Sequence, residues 1–132
     1  SREAFRETLS RARTFCFARD IQPLRAMGLI RGGSLENALV LTADGVMNGP
    51  LRYPDEFGRH KALDLIGDLA LLGLPLLGLV VAYRAGHAMH TQLVSRLLAD
   101  PSAWTVTTGI PVEAREPAPV GAPALAPLPA AD

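Results

Sequence analysis

Apolar positions along this chain recur at helical spacing first and at strand-like spacing afterwards. Phe5, Leu9 and Ala12 fall at i, i+4 and i+7 among charged neighbours, which predicts an amphipathic helix over residues 2–13. Thr14-Phe15-Cys16-Phe17 is short and β-prone. Asp20 is placed to cap a second short helix with Pro23 near its first turn, and Gly28 stands where that helix would stop. Leu29-Ile30 predicts a brief extended piece before the turn Gly32-Gly33-Ser34. Ala38-Leu39-Val40-Leu41 reads as a strand, Ala43-Asp44-Gly45 as a turn, and a loop rich in Gly, Pro and Asn runs from Asn48 to Asp55.

A longer helix is predicted from about Glu56 to Leu72, a strand from about Leu76 to Tyr83, and a last helix from Gly86-His87 to about Leu98. The apolar run Leu69 to Tyr83 holds 15 residues, short of the roughly 20 that a spanning helix needs. Pro75, between Gly73 and Gly78, divides it, so it reads as a helix end, a turn and a buried strand, with no transmembrane span. From Pro111 onward six of the last 22 residues are proline and many others alanine. Such a segment buries too little to offset its ordering entropy, which predicts a flexible tail.

Composition bounds this picture without redrawing it. The 132 residues, 48% of them hydrophobic, suffice for one modest domain. Thirteen basic residues balance thirteen acidic ones, so no net field marks nucleic acid or an anionic membrane as a partner. The single cysteine, Cys16, excludes an internal disulfide framework and fits a reducing, cytoplasmic setting. The start, Ser1-Arg2-Glu3-Ala4-Phe5, has no apolar signal core and no initiating Met, as expected of a fragment or a processed product.

Candidate chemistry concentrates in Arg59 to Asp68. His60, Asp64 and Asp68 fall at i, i+4 and i+8, on one face of a helix over two turns. A histidine and a carboxylate one turn apart can close on one metal ion. The same pair is also an ordinary helix-face hydrogen bond worth about a few tenths of a kcal/mol. His87 opens the following helix, where a nearby carboxylate such as Asp68 would favour its imidazolium and make it a proton donor. It reads equally as a cap or a surface residue. His90, three residues on, is an alternative third ligand beside His60 and Asp64. Lys61 lies at a different azimuth and suits an anionic substrate group, or plain solvent. Gly32-Gly33-Ser34 lacks the spacing of a nucleotide-binding loop, and Cys16 reads as a small buried residue.

Several segments coincide with one family. They are Arg13-Thr14-Phe15-Cys16-Phe17-Ala18-Arg19-Asp20; Gly28-Leu29 with Gly32 to Ala38; Leu51-Arg52-Tyr53 with Asp55-Glu56-Phe57; Arg59-His60-Lys61 with Asp64 and Gly67-Asp68-Leu69; and Tyr83, Gly86 and His87. In this order they resemble the UDP-3-O-acyl-N-acetylglucosamine deacetylases of Gram-negative lipid A synthesis, over about residues 2–99. The resemblance implies an α+β fold: an incomplete copy of the second of two two-layer β-α-α-β sandwich domains, with a small βαβ-like insert. It places the deacetylase domain at residues 1–100, incomplete on its N-terminal side, and the tail at 101–132.

The resemblance further implies zinc as cofactor, with His60 and Asp64 as two of its three ligands. It implies His87 as the acid that protonates the departing amine, Asp68 orienting it, and Thr14 helping to polarise the amide carbonyl. Lys61 would face the UDP-linked acylated glucosamine substrate. Phe15, Phe17, Ile21, Ile30, Gly33, Ser34 and Ala38 would line the substrate and its acyl passage. The third ligand, a histidine, and the glutamate base would come from a missing N-terminal half, so this chain alone is expected to be inactive or nearly so. Departures from the family's pattern are Cys16 for glycine, Gly58 for a bulkier residue, His90 for asparagine, and a loop before Arg52 about one residue short. The alternatives are a catalytically inactive remnant that binds an acyl-nucleotide or a protein, and a small membrane-associated helical protein suggested by Leu69 to Tyr83.

Overall fold

The computed structural model describes residues 2–109, so most of the expected tail lies outside the described residues. The chain is mixed α+β. In order run α1 (Arg2–Thr8), β1 (Thr14–Phe17), α2 (Ala18–Ala26), β2 (Ala38–Thr42), β3 (Gly45–Val46), α3 (Glu56–Leu69) and α4 (His87–Ala99). Short 3-10 turns follow α3 at Ala70–Leu72 and α4 at Pro101–Ala103. β1 pairs in parallel with β2, Thr14 opposite Ala38 and Phe17 opposite Leu41, and α2 makes the crossover between them. This is the expected βαβ unit. β3 returns antiparallel on the outer edge of β2 through the turn at Ala43-Asp44.

Packing explains where the sequence pattern is overruled. α1 ends at Thr8, short of residue 13, and the hydroxyls of Thr8 and Ser10 bond back to the carbonyls of Ala4 and Arg6. α2 runs straight out of β1, so Asp20 sits in its first turn and caps nothing. At its far end Gly28 (φ 75°) closes a Schellman turn, Gly28 N–H donating to Arg25 and Leu29 N–H to Leu24. Ile30 then takes the left-handed region at φ 48° and its carbonyl accepts from Gly33 N–H at 3.0 Å, so Leu29-Ile30 leads into the turn at Arg31-Gly32 in place of the expected extended piece. The strand expected at 76–83 does not form. Local pattern is not enough for a strand, which needs a partner backbone, and no described strand pairs with this segment. Its Leu76, Leu77, Leu79, Val81 and Tyr83 are exposed. Residues 101–109 continue past α4, and the Trp104 indole donates to the Leu97 carbonyl at 2.8 Å.

A buried carboxylate ties the ends of the fold together. Glu56, at the start of α3, is fully buried. It accepts from the backbone N–H and Nε of Arg13, both at 2.9 Å, from Arg13 Nη2 at 3.1 Å, and from the Arg52 backbone N–H at 2.6 Å. Arg13 Nη2 also reaches the Pro50 carbonyl. Around this hub, carbonyls of the α1–β1 connector are taken one after another by side chains of residues 52–60. Tyr53 Oη donates to Glu7 O, Arg59 to Thr8 O, Arg52 to Arg11 O, and His60 Nδ1 lies 3.2 Å from Ala12 O. Those bonds satisfy groups that a helix end leaves open. They also bring β1 beside α3, where the Phe15 and Phe57 rings meet edge to face at 4.9 Å.

Among the described residues the buried apolar set is small: Ala12, Ala38, Leu39, Val40 and Val94. Leu39, in the middle of β2, is fully buried, and Leu39→Ala should cost about 2–5 kcal/mol in chemical denaturation. Hydrogen bonds from the Arg13 side chain hold the Glu56 carboxyl well below its ordinary 4.5, at about 2, against the opposing effect of burial. A carboxyl depressed in the folded state stabilises the fold above its unfolded value and loses that contribution as the pH falls. The loss should therefore run from about pH 4.5 down to about pH 2 and amount to roughly 3 kcal/mol. Glu56→Gln, which leaves Arg13 buried and unpaired, should cost about 3–5 kcal/mol at neutral pH and flatten this acid limb in urea titrations at a series of pH values.

Candidate functional site

The polar residues of α3 and the opening of α4 converge on one face. α3 presents His60, Asp64 and Asp68 one turn apart each, and α4, packed against it, brings His87 and His90 from its first turn. Gly86, extended at φ −149°, precedes His87 as the N-cap. His60 Nε2 lies 3.2 Å from Asp64 Oδ1, with both side chains mostly buried. The other Asp64 oxygen accepts from Lys61 Nζ at 2.9 Å and stands 3.9 Å from His87 Nε2. His87 Nδ1 and His90 Nδ1 both meet Asp68 Oδ2, at 2.7 and 2.8 Å.

Hydrogen-bond accounting fixes most of the protons. A carbonyl oxygen only accepts, so His60 Nδ1 carries the hydrogen that meets Ala12 O. In the neutral ring Nε2 is then a bare lone pair facing a carboxylate oxygen at 3.2 Å. Two acceptors face one another, and the gap calls for a cation or a second proton. A backbone carbonyl on the far nitrogen is also the support that metal-ligating histidines usually have. Asp68 Oδ2 accepts from both His87 and His90, which leaves Nε2 of His87 on the Asp64 side. Burial raises the Asp68 carboxyl, but the hydrogen bonds from His90 and His87 outweigh it and hold it below the usual carboxylate range.

Asp68, His87 and His90 also offer ligand atoms within 4.8 Å of one another, close enough for one metal ion. Two short hydrogen bonds already satisfy that group, whereas His60 Nε2 and Asp64 Oδ1 meet as two acceptors. His90 therefore does not join His60 and Asp64 as spacing allowed; it sits buried against Asp68. The i, i+3 step from His87 was the signal for that, since it puts both rings on the same side of α4. Lys61 bonds Asp64 and lies 5.8 Å from the Phe15 ring centre.

A cavity of about 350 Å³ opens between the βαβ unit and the turn after α2. Thr14, Phe15, Ile21, Ile30, Gly33, Ser34 and Ala38 all line it, while Phe17 and Lys61 do not. A larger apolar groove of about 680 Å³ lies between the turn after α3 and the end of α4, away from the polar face. Arg13, Glu56 and Phe57, which position His60, carried no sequence signal of chemistry; only the buried state of Glu56 reveals them. No described helix is long and apolar enough to cross a membrane.

Comparison with known proteins gives this geometry a family. The family model described as LpxC, UDP-3-O-acyl N-acetylglycosamine deacetylase, matches residues 1–99. A UDP-3-O-acyl-N-acetylglucosamine deacetylase of Anaeromyxobacter dehalogenans (strain 2CP-C) is 57% identical over 104 residues, covering 78% of this chain and 34% of the relative. One from Anaeromyxobacter sp. (strain Fw109-5) is 50% identical over 127 residues, covering 93% of this chain and 42% of the relative. One from Solibacter usitatus (strain Ellin6076) is 56% identical over 107 residues, covering 80% and 36%. The chain thus spans between about a third and two-fifths of the length of these relatives. With 99 of its 132 residues inside the family match, the chain belongs to the UDP-3-O-acyl N-acetylglycosamine deacetylase family.

Proposed function

We propose that this chain supplies part of the active site of a cytoplasmic, zinc-dependent deacetylase that removes the N-acetyl group of UDP-3-O-acyl-N-acetylglucosamine in lipid A synthesis. The observation that carries this reading is the facing pair of acceptors, His60 Nε2 and Asp64 Oδ1 at 3.2 Å, with the far ring nitrogen of His60 held on Ala12 O. His60 and Asp64 are the ligands this chain offers, a nitrogen and an oxygen that suit zinc. Bound zinc would lower the pKa of its water to about 7 and polarise the amide carbonyl. Catalytic sites take three protein ligands. The third ligand and the general base belong to the part of the relatives that this chain does not span.

The remaining steps fall to residues on the same face. Asp68 holds the Nδ1–H of His87 and so presents Nε2 on the Asp64 side. As the imidazolium, protonated on both nitrogens, His87 gives its Nε2 proton to the amine nitrogen as the bond to the acetyl carbon breaks, and is left as the imidazole with its Nδ1–H on Asp68. Thr14, at the start of β1 and two residues beyond the Ala12 carbonyl, assists at the amide oxygen. Lys61 receives the nucleotide-sugar. The cavity beside β1, with Phe15, Ile21 and Ile30 in its wall, takes the 3-O-acyl chain, and Phe17 lies at its margin.

The test joins this chain to the N-terminal part of the Anaeromyxobacter dehalogenans relative and follows acetate release and bound metal. One equivalent of zinc and turnover are expected. His60→Ala and Asp64→Ala should each lose the zinc, while His87→Ala should keep it and lower kcat roughly a hundred- to ten-thousand-fold. Unchanged zinc content in both ligand variants would falsify the ligand assignment. Substrate binding without turnover in the joined protein would favour the inactive binding module instead. A second expectation concerns the cavity. Ile21→Trp, which fills it, should shift kcat/KM toward shorter acyl chains, and an unchanged chain-length profile removes the cavity from that role.

A further inference from the structure

We infer that His90 is a positioning residue that holds the proposed acid His87 in place through Asp68, an inference that rests on the role proposed for His87. The three side chains differ sharply in how they are held. The His87 ring is 66% exposed, so packing does not fix its orientation. The His90 ring is 5% exposed and lies one turn before the buried Val94 on the inner side of α4. Asp68 stands between them, and its Oδ2 is the meeting point of both rings.

Rigidity therefore passes in one direction: from buried His90, to Asp68, to exposed His87. A carboxylate oxygen has room for about two strong hydrogen-bond donors, and the two Nδ1–H groups occupy both on Oδ2 at 2.7 and 2.8 Å. With His90 in place, Asp68 cannot turn that oxygen toward solvent without abandoning a buried donor, which is unfavourable. Without His90, the carboxylate is free to rotate, and nothing buried holds the hydrogen of His87 on Nδ1. Nε2, the nitrogen on the Asp64 side, is then no longer the one kept available.

The atom that donates makes the proposal specific. His90 bonds through Nδ1, the ring atom that the side-chain amide of an asparagine overlays. Asparagine at position 90 can place an N–H at the same point, whereas glutamine carries its amide one atom further out. His90→Asn should keep the arrangement, and His90→Gln and His90→Leu should lose it. His90→Gln keeps a polar side chain of similar bulk, which separates loss of the donor's position from loss of packing.

The primary readout needs no activity. Long-range proton–nitrogen spectra of the ¹⁵N-labelled 132-residue chain, in alkaline metal-free buffer, report which ring nitrogen of His87 bears the hydrogen. Wild type and His90→Asn should show the Nδ1–H form, and His90→Gln and His90→Leu should show the tautomer mixture of a free imidazole. In the joined deacetylase, kcat should fall roughly tenfold in His90→Leu with KM unchanged and recover in His90→Asn, a size seen for outer groups that orient catalytic side chains. An unchanged His87 tautomer in His90→Leu, or His90→Asn behaving as His90→Leu does, overturns the inference. An inactive joined protein with the expected tautomer pattern overturns the deacetylase reading and leaves the role of His90 standing.

Discussion

The buried carboxylate of Glu56 is the constraint on which the rest of the structure depends. A charged group taken fully out of water is stable only where its lone pairs are met, and Glu56 meets them with the backbone and guanidinium of Arg13 and the backbone of Arg52. Glu56 and its two partners lie in three different stretches of chain. Satisfying one carboxylate therefore docks the connector after α1, the loop before α3 and the first turn of α3 onto each other. Arg52, Tyr53, Arg59 and His60 then close on carbonyls of the same connector. In a chain with few buried apolar side chains, this polar lacing replaces much of what a larger core would do.

The lacing also builds the site. The bond from His60 to Ala12 O is at once the last rung of that ladder and the contact that commits Nδ1 to carrying the hydrogen. Fold and chemistry share one residue here. A ring held only by its neighbours on α3 could turn over and present either nitrogen to Asp64. Pinned on Ala12, it presents Nε2. The same logic recurs one turn along α3, where Asp68 commits Nδ1 of His87 and points the other nitrogen toward Asp64.

Much of this was legible in the sequence because it depends on local periodicity. The i, i+4, i+8 spacing of His60, Asp64 and Asp68 needs nothing but a helix to bring them together, and two short apolar runs around a helix that Gly28 terminates give the separate elements that the resemblance joins into a βαβ unit. What was not legible depends on partners distant in sequence. Residues 76–83 carry a strand's composition, yet a strand is a property of two backbones, and this one meets none among the described residues. Leu29-Ile30 looked extended because both residues are apolar, but Ile30 takes φ 48° and its carbonyl accepts from Gly33 N–H at the start of the next turn. By its position Glu56 is a first-turn acid, favourable at a helix N-terminus for its charge alone. That it is the most deeply buried polar group follows only from where Arg13 arrives.

Position 90, where the family resemblance leads one to expect asparagine, holds a histidine whose Nδ1 meets Asp68. Histidine is larger than asparagine and chemically unlike it, so by composition it looks like a gain of a ligand or of a proton carrier. Its geometry points elsewhere. The ring turns inward, its Nδ1 spends its hydrogen on Asp68, and its bulk fills space beneath the first turn of α4. The donor at this position stands one bond from Cγ, on a buried residue. Reading residues by the atom they present, rather than by the chemistry they are capable of, separates the exposed His87, whose Nε2 lies on the Asp64 side, from the buried His90, which meets the same Asp68 oxygen from within.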